Sequence, residues 1–282
     1  MKSSLSRKQA PSEAPRPIGV FDSGIGGLTV VAALRKLLPA ENIFYIGDTA
    51  RVPYGGKSRS TIERYSQELS GLLLAERAKL IVVACNTASA LGVPLLQETL
   101  RIPVTGVIEP GAQAAVKATR SGKVGVIGTR ATIASRAYER AIEALNPDVK
   151  VFAESCPLLV PLIEEGWLDD PVTDSIIQRY LEKFVRAGVD TLVLGCTHYP
   201  LLRPAIQRFT GSGVILVDSA QNTALSVQKL IRQQKLAAPQ KNLGRLQVAL
   251  TDQSTGFLRV AEAALDLQVG DIQLRTVQHG AA

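Results

Sequence analysis

The chain is poor in the residues that build metal centres and stacking surfaces. Its 282 residues include two histidines, His198 and His279, and three cysteines, Cys85, Cys156 and Cys196, none in a C-x-x-C pair. That inventory speaks against a structural zinc site. An odd cysteine count cannot complete a disulfide framework, so free thiols in a reducing compartment are expected. Aromatic residues make up 5% of the chain and few lie among the basic residues, which leaves a single-strand nucleic-acid binder without its stacking platform. The net charge is +7 and the pI about 9.4, but no run of five like charges occurs. Nucleic acid is therefore not expected as the main partner, although an anionic small molecule suits the charge. No apolar run approaches membrane-spanning length. Residues 1–17 are polar, rich in proline and serine, and lack the apolar core of a signal peptide. A disordered tail on a cytoplasmic protein is the expectation.

What the chain does have is apolar material, at 46%, arranged as alternating strands and helices. Strands are expected at 17–21, 41–46, 80–84, 104–108, 123–129, 149–152, 191–195, 214–218, 246–250 and 272–277. Helices are expected at 28–38, 60–79, from Ala88, at 131–145, 173–187, 220–234 and 256–265. This pattern predicts α/β architecture with mostly parallel sheets covered by helices. A first strand, a second strand and a strand ending on cysteine follow one another twice in the same order. The simplest account is two similar Rossmann-like or flavodoxin-like three-layer domains related by duplication. The expected division is 18–112 plus about 221–282 for the first domain and 113–220 for the second.

The two cysteine strands carry the functional signal. Leu80-Ile81-Val82-Val83-Ala84 reads as a strand buried on both faces and stops on Cys85-Asn86-Thr87. Thr191-Leu192-Val193-Leu194-Gly195 stops on Cys196-Thr197-His198 in the same way. Ligands in open α/β sheets sit beyond the carboxyl ends of strands. Two facing halves would place Cys85 and Cys196 on opposite walls of one cleft, a preferred place for a small-molecule site. A helix starting near Ala88 would favour a thiolate at Cys85 through its N-terminal dipole. His198 is close enough in sequence to assist Cys196. Cys156 reads as a small buried hydrophobe.

Several rival motifs fail. Gly24-x-Gly26 follows a strand, but Thr29 stands where a dinucleotide fingerprint wants glycine or alanine, and Asp22 would repel a pyrophosphate. Asp22 reads either as a functional carboxylate at a strand end or as a helix N-cap. Gly55-Gly56-Lys57-Ser58 has Arg51 where a phosphate loop begins with glycine. Neither cysteine has an arginine placed as a phosphatase loop requires. Glu164 and Glu165 read equally as a solvated pair or as site residues.

Taken together, Gly19-Val20-Phe21-Asp22-Ser23-Gly24-Ile25-Gly26-Gly27, Gly47-Asp48-Thr49-Ala50-Arg51-x-Pro53-Tyr54-Gly55, Ala84-Cys85-Asn86-Thr87-Ala88 and Gly195-Cys196-Thr197-His198-Tyr199-Pro200 resemble the cofactor-independent aspartate/glutamate racemase family. Gly106-Val107-Ile108-Glu109-Pro110-Gly111 and Cys156-Pro157-x-x-Val160-Pro161-x-x-Glu164 fit the same pattern. The resemblance implies racemisation of glutamate without any cofactor, supplying D-glutamate for peptidoglycan, with Cys85 and Cys196 as the acid/base pair. Cys85 would serve the D-enantiomer and Cys196 the L-enantiomer. Asp22, Glu164 and His198 would assist the thiols. Asp22, Ser23, Pro53, Tyr54, Gly55, Asn86, Thr87, Thr197 and His198 would hold the substrate. A homodimer without membrane or metal is expected. The alternatives are a racemase for aspartate or a related acid, and a non-catalytic amino-acid binding protein.

Overall fold

The structure is a computed structural model, described over residues 16–239, 243–253 and 272–277. The chain first runs through β1 (Ile18–Asp22), α1 (Leu28–Leu37), β2 (Ile43–Gly47), α2 (Arg59–Ala75), β3 (Leu80–Val83), α3 (Asn86–Leu91), α4 (Val93–Thr99), β4 (Val104–Thr105) and α5 (Ile108–Ala118). It continues through β5 (Lys123–Gly128), α6 (Arg130–Ala134), α7 (Ala137–Leu145), β6 (Lys150–Ser155), α8 (Leu159–Glu164), α9 (Pro171–Ala187), β7 (Thr191–Gly195), α10 (Arg203–Thr210) and β8 (Ile215–Asp218). It closes with α11 (Ser219–Gln233), β9 (Leu246–Leu250) and β10 (Ile272–Leu274).

Two sheets result, in strand orders β10-β9-β2-β1-β3-β4 and β6-β5-β7-β8, with every pairing parallel. Each sheet has its first strand between its second and third, the doubly wound order in which sites form at strand ends. The two sheets are alike in register. Gly19 lies opposite Phe44 and Ile81, and Gly125 lies opposite Phe152 and Leu192. Both glycines let neighbouring side chains approach closely. A Cβ on Gly19 would stand 2.9 Å from Ala78 Cβ, and one on Gly125 would stand 2.9 Å from Phe184 Cδ1. β1, β3 and β7 are buried along their whole length, which is why their sequences are apolar in succession, save Asp22 at the end of β1 and Thr191 at the start of β7, rather than alternating.

The connections hold the halves together. α5 packs on α7, β7 and β8, while α11 packs on α1 and α5. The chain after α11 is tied to the first sheet by the buried Lys79–Glu41 ion pair. Lys79 Nζ also donates to Leu236 O at 2.7 Å, and Glu41 Oε1 accepts from Ala238 N–H at 2.8 Å.

Three local expectations are corrected. The strand expected over 104–108 stops at Thr105, and Ile108 opens α5 instead. Pro110 falls in the first turn of that helix, where its missing N–H leaves no bond unmade. The helix expected over 131–145 is two helices, because Arg136 adopts φ 54° and Ser135 Oγ accepts from Ala137 N–H at 3.2 Å. The helix expected to reach Lys79 ends at Ala75, with Arg77 at φ 60° turning the chain into β3. The expected helix at 256–265 and nearly all of the expected N-terminal tail lie outside the described residues. Among the described residues no helix is long and apolar enough to cross a membrane.

Candidate active site

The carboxyl ends of β1, β3, β5 and β7 converge on a cavity of about 40 Å³ between the two sheets. Ser23, Pro53, Tyr54, Gly55, Cys85, Asn86, Thr87, Glu164, Cys196, Thr197 and His198 line it, together with Val52, Thr129 and Val160. Every residue expected at the site is thus brought there except Asp22. That carboxylate is fully buried beneath the turn, where Oδ2 accepts from Gly24 N–H at 3.1 Å and Gly27 N–H at 3.0 Å. Oδ1 has no hydrogen-bond partner among the described residues. Asp22 is therefore not the N-cap of α1, which is Gly27; its Oδ2 instead holds the turn that precedes the helix.

On the first wall, Cys85 caps α3, with Ala88 N–H donating to Sγ at 3.5 Å and Sγ donating to Ser23 Oγ at 3.5 Å. The expected thiolate is not what this environment favours. Burial pushes the Cys85 thiol up to about 12, and the Asp22 carboxylate adds to the rise. Hydrogen bonds that Ser23 Oγ–H and Ala88 N–H would give an ionised sulfur act the other way and are outweighed. α3 has six residues and so offers only a short dipole against full desolvation. A charge on Cys196 also raises the Cys85 pKa, so the two thiols sense each other.

On the second wall, Cys196 Sγ lies 3.8 Å from His198 Nδ1, and His198 Nε2 lies 3.3 Å from Glu164 Oε1. Burial opposes a charge on the imidazole, but its contacts with Cys196 and Glu164 prevail, and its pKa rises to about 10. The consequence for stability has a definite sign. Between about 6.5 and 10 the folded chain keeps a proton on His198 that the unfolded chain has lost, so stability falls as pH rises through that window. Cys85 adds a further loss between 9.0 and about 12, since only the unfolded thiol ionises there. The urea midpoint is expected to drop from pH 7 to pH 10, and His198→Gln is expected to flatten that slope. An unchanged slope in the variant would refute the assignment.

Two sets of contacts fix the cavity's shape. Tyr54 is held by its hydroxyl on Asp48 Oδ2, which also accepts from Arg51 Nε at 2.7 Å, while Asp48 Oδ1 accepts from Thr251 Oγ1 at 2.9 Å. The Arg51 guanidinium pairs with Glu68 and lies 3.9 Å over the Tyr65 ring. Across the cleft, Thr87 Oγ1 lies 2.9 Å from Thr129 Oγ1 and 3.1 Å from Thr132 Oγ1. Sequence reasoning gave no role to Asp48, Thr129 or Thr132. The strand-end rule that found Cys85 would have found Asp48 and Thr129, because each directly follows a strand. Thr132 and Arg51 carry no such signal. Among the described residues no group of three or more metal-ligating side chains forms a cation site.

These features define a class: an α/β enzyme whose cavity lies between two parallel-sheet units, with a thiol from each unit in its wall. The chain belongs to the Asp/Glu/Hydantoin racemase family, whose model matches residues 18–227. It is similar to the glutamate racemase of Geobacter metallireducens, at 52% identity over 91% of this chain and 95% of that one. Among solved structures it is similar to a glutamate racemase isoform of Bacillus anthracis, with a TM-score of 0.87 at 39% identity, covering 93% of this chain and 97% of that one. It is also similar to the Francisella tularensis glutamate racemase in complex with D-glutamate, with a TM-score of 0.86 at 37% identity over 93% and 98% of the two chains. The protein is accordingly an isomerase.

Proposed function

We propose that the protein interconverts L- and D-glutamate by moving the Cα proton between Cys85 and Cys196. The observation that carries this reading is that cysteines from two different sheets line one cavity. A thiolate on one face takes the Cα proton, and the resulting negative charge spreads onto the α-carboxylate. The thiol on the other face then delivers its own proton to Cα, so each turnover exchanges the states of the two sulfurs. Cys85 serves the D-enantiomer and Cys196 the L-enantiomer. Held as a thiol, Cys85 is ready to donate to a substrate deprotonated from the Cys196 side. His198, cationic beside Cys196 and anchored by Glu164, supplies positive charge for a sulfur anion to pair with.

Acid–base action of this kind contributes on the order of a hundred- to ten-thousandfold. The remainder comes from donors fixed around the carboxylate as charge develops there, a role supported for Ser23, Asn86, Thr87 and Thr197 by their presence in the cavity wall. Asp22 acts from behind, holding the Ser23–Gly27 turn and its electrostatic balance with His198. The product D-glutamate serves peptidoglycan synthesis, which fits a cytoplasmic enzyme working as a homodimer.

Turnover in D2O tests the scheme. Starting from either enantiomer without added cofactor, the product is expected to carry deuterium at Cα while unreacted substrate stays unlabelled early in the reaction. Equal early labelling of both enantiomers would point to one exchanging base and defeat the two-thiol scheme.

A further inference from the structure

Asn86 is 2% exposed and lines the cavity, yet its Nδ2 has no hydrogen-bond partner among the described residues. A buried amide donor left unpaired costs stability, so such a group is retained where a ligand completes it. An amide can present either its oxygen or its nitrogen to a ligand, and something must decide which. The residue in contact is Tyr138, on α7 of the other half. Its hydroxyl donates to Asn86 Oδ1 at 2.7 Å. The ring is 1% exposed and closely enclosed: a Cβ on Gly111 would stand 3.1 Å from it, and one on Gly195, next to Cys196, would stand 3.2 Å from it.

We propose that Tyr138 is a positioning residue that locks the Asn86 amide with its oxygen towards α7 and its NH2 towards the substrate carboxylate. This rests on the proposed racemisation of glutamate at the same cavity. The argument is one of proton count. A phenol has a single hydrogen, and among the described residues the only acceptor paired with it is Asn86 Oδ1. Burial raises the pKa of Tyr138, and the neighbouring Cys196 adds to that, so the hydroxyl keeps the proton it donates to Oδ1. With Oδ1 occupied, the NH2 is what the Asn86 side chain has left to offer a ligand in the cavity it lines. The bond also crosses from one half to the other, so the amide is correctly aimed only when the cleft is shut.

A double-mutant cycle tests this. Tyr138→Phe keeps the enclosed ring and removes only the hydroxyl, and Asn86→Ala removes the amide. In the otherwise native enzyme, Tyr138→Phe is expected to lower kcat/KM about tenfold, chiefly through KM, the size of one lost oriented hydrogen bond. In the Asn86→Ala background the same substitution is expected to change kcat/KM by less than about twofold. Equal losses in both backgrounds would make Tyr138 a packing residue and overturn the proposal, as would an unchanged KM in Tyr138→Phe. If Asn86→Ala turns over too slowly, the thermal shift induced by D-glutamate is read across the same four proteins with the same criterion. Urea unfolding of the four without substrate reads the Tyr138–Asn86 bond itself and does not depend on glutamate being the substrate: coupling supports the bond, and additivity overturns it.

Discussion

Cys85→Ala is expected to lower racemisation of glutamate by about a hundred- to ten-thousandfold, the range for a positioned acid–base group. The loss should appear equally in kcat/KM for both enantiomers. The two have the same free energy in solution, so no substitution can favour one direction in kcat/KM. Cys196→Ala is expected to behave in the same way. Cys156→Ala is the control, because that thiol lies outside the cavity lining and its Sγ donates to Glu154 O at 3.8 Å. Its turnover should stay within about twofold, with a stability cost of roughly 1 kcal/mol from the emptied core position. Circular dichroism of the racemisation, followed for all three variants, decides the matter. A loss below tenfold in Cys85→Ala would remove it from the proton transfer.

Gly26→Ala should be nearly as damaging, although residue 26 is not in the cavity lining. A Cβ there would stand 2.5 Å from Thr197 Oγ1, 3.0 Å from Thr197 Cβ and 2.9 Å from His198 Nδ1. None of these atoms is the free end of a flexible chain. Thr197 and His198 sit on the short loop that carries Cys196, so relieving the clash moves the second wall away from the first. A displacement of about 1 Å from the productive geometry can cost a hundredfold in rate. Overpacking of this kind destabilises by about 1–3 kcal/mol. The expected signature is therefore a kcat/KM loss far greater than the fall in melting temperature implies. A variant that is merely less stable, with native kcat/KM below its melting point, would show that the two loops have room to part.

The chemistry was more legible in the sequence than the architecture that makes it work. Cys85 and Cys196 stood out because a thiol ended each of two fully apolar strands, and strand ends are where such sheets bind ligands. The repeated order of strands is now seen as a repeated register, with Gly19 against Phe44 and Gly125 against Phe152. The protonation state of Cys85 was not legible. A helix N-terminus follows it, but the degree of burial depends on the second half of the chain folding over it. Tyr138 was not legible either, since it lies 52 residues from Asn86 and on a helix whose start at Ala137 depends on the left-handed turn at Arg136. Contacts across the cleft are set by how the halves meet, which local periodicity does not encode.

The cavity holds space for a few waters rather than for an amino acid. If glutamate binds there as proposed, the halves must part to admit it, and the bonds from Thr87 to Thr129 and Thr132 oppose that parting. The apparent dissociation constant is then the intrinsic one divided by the fraction of molecules standing open. On that reading, part of the affinity for substrate is set in its absence, by bonds between protein hydroxyls.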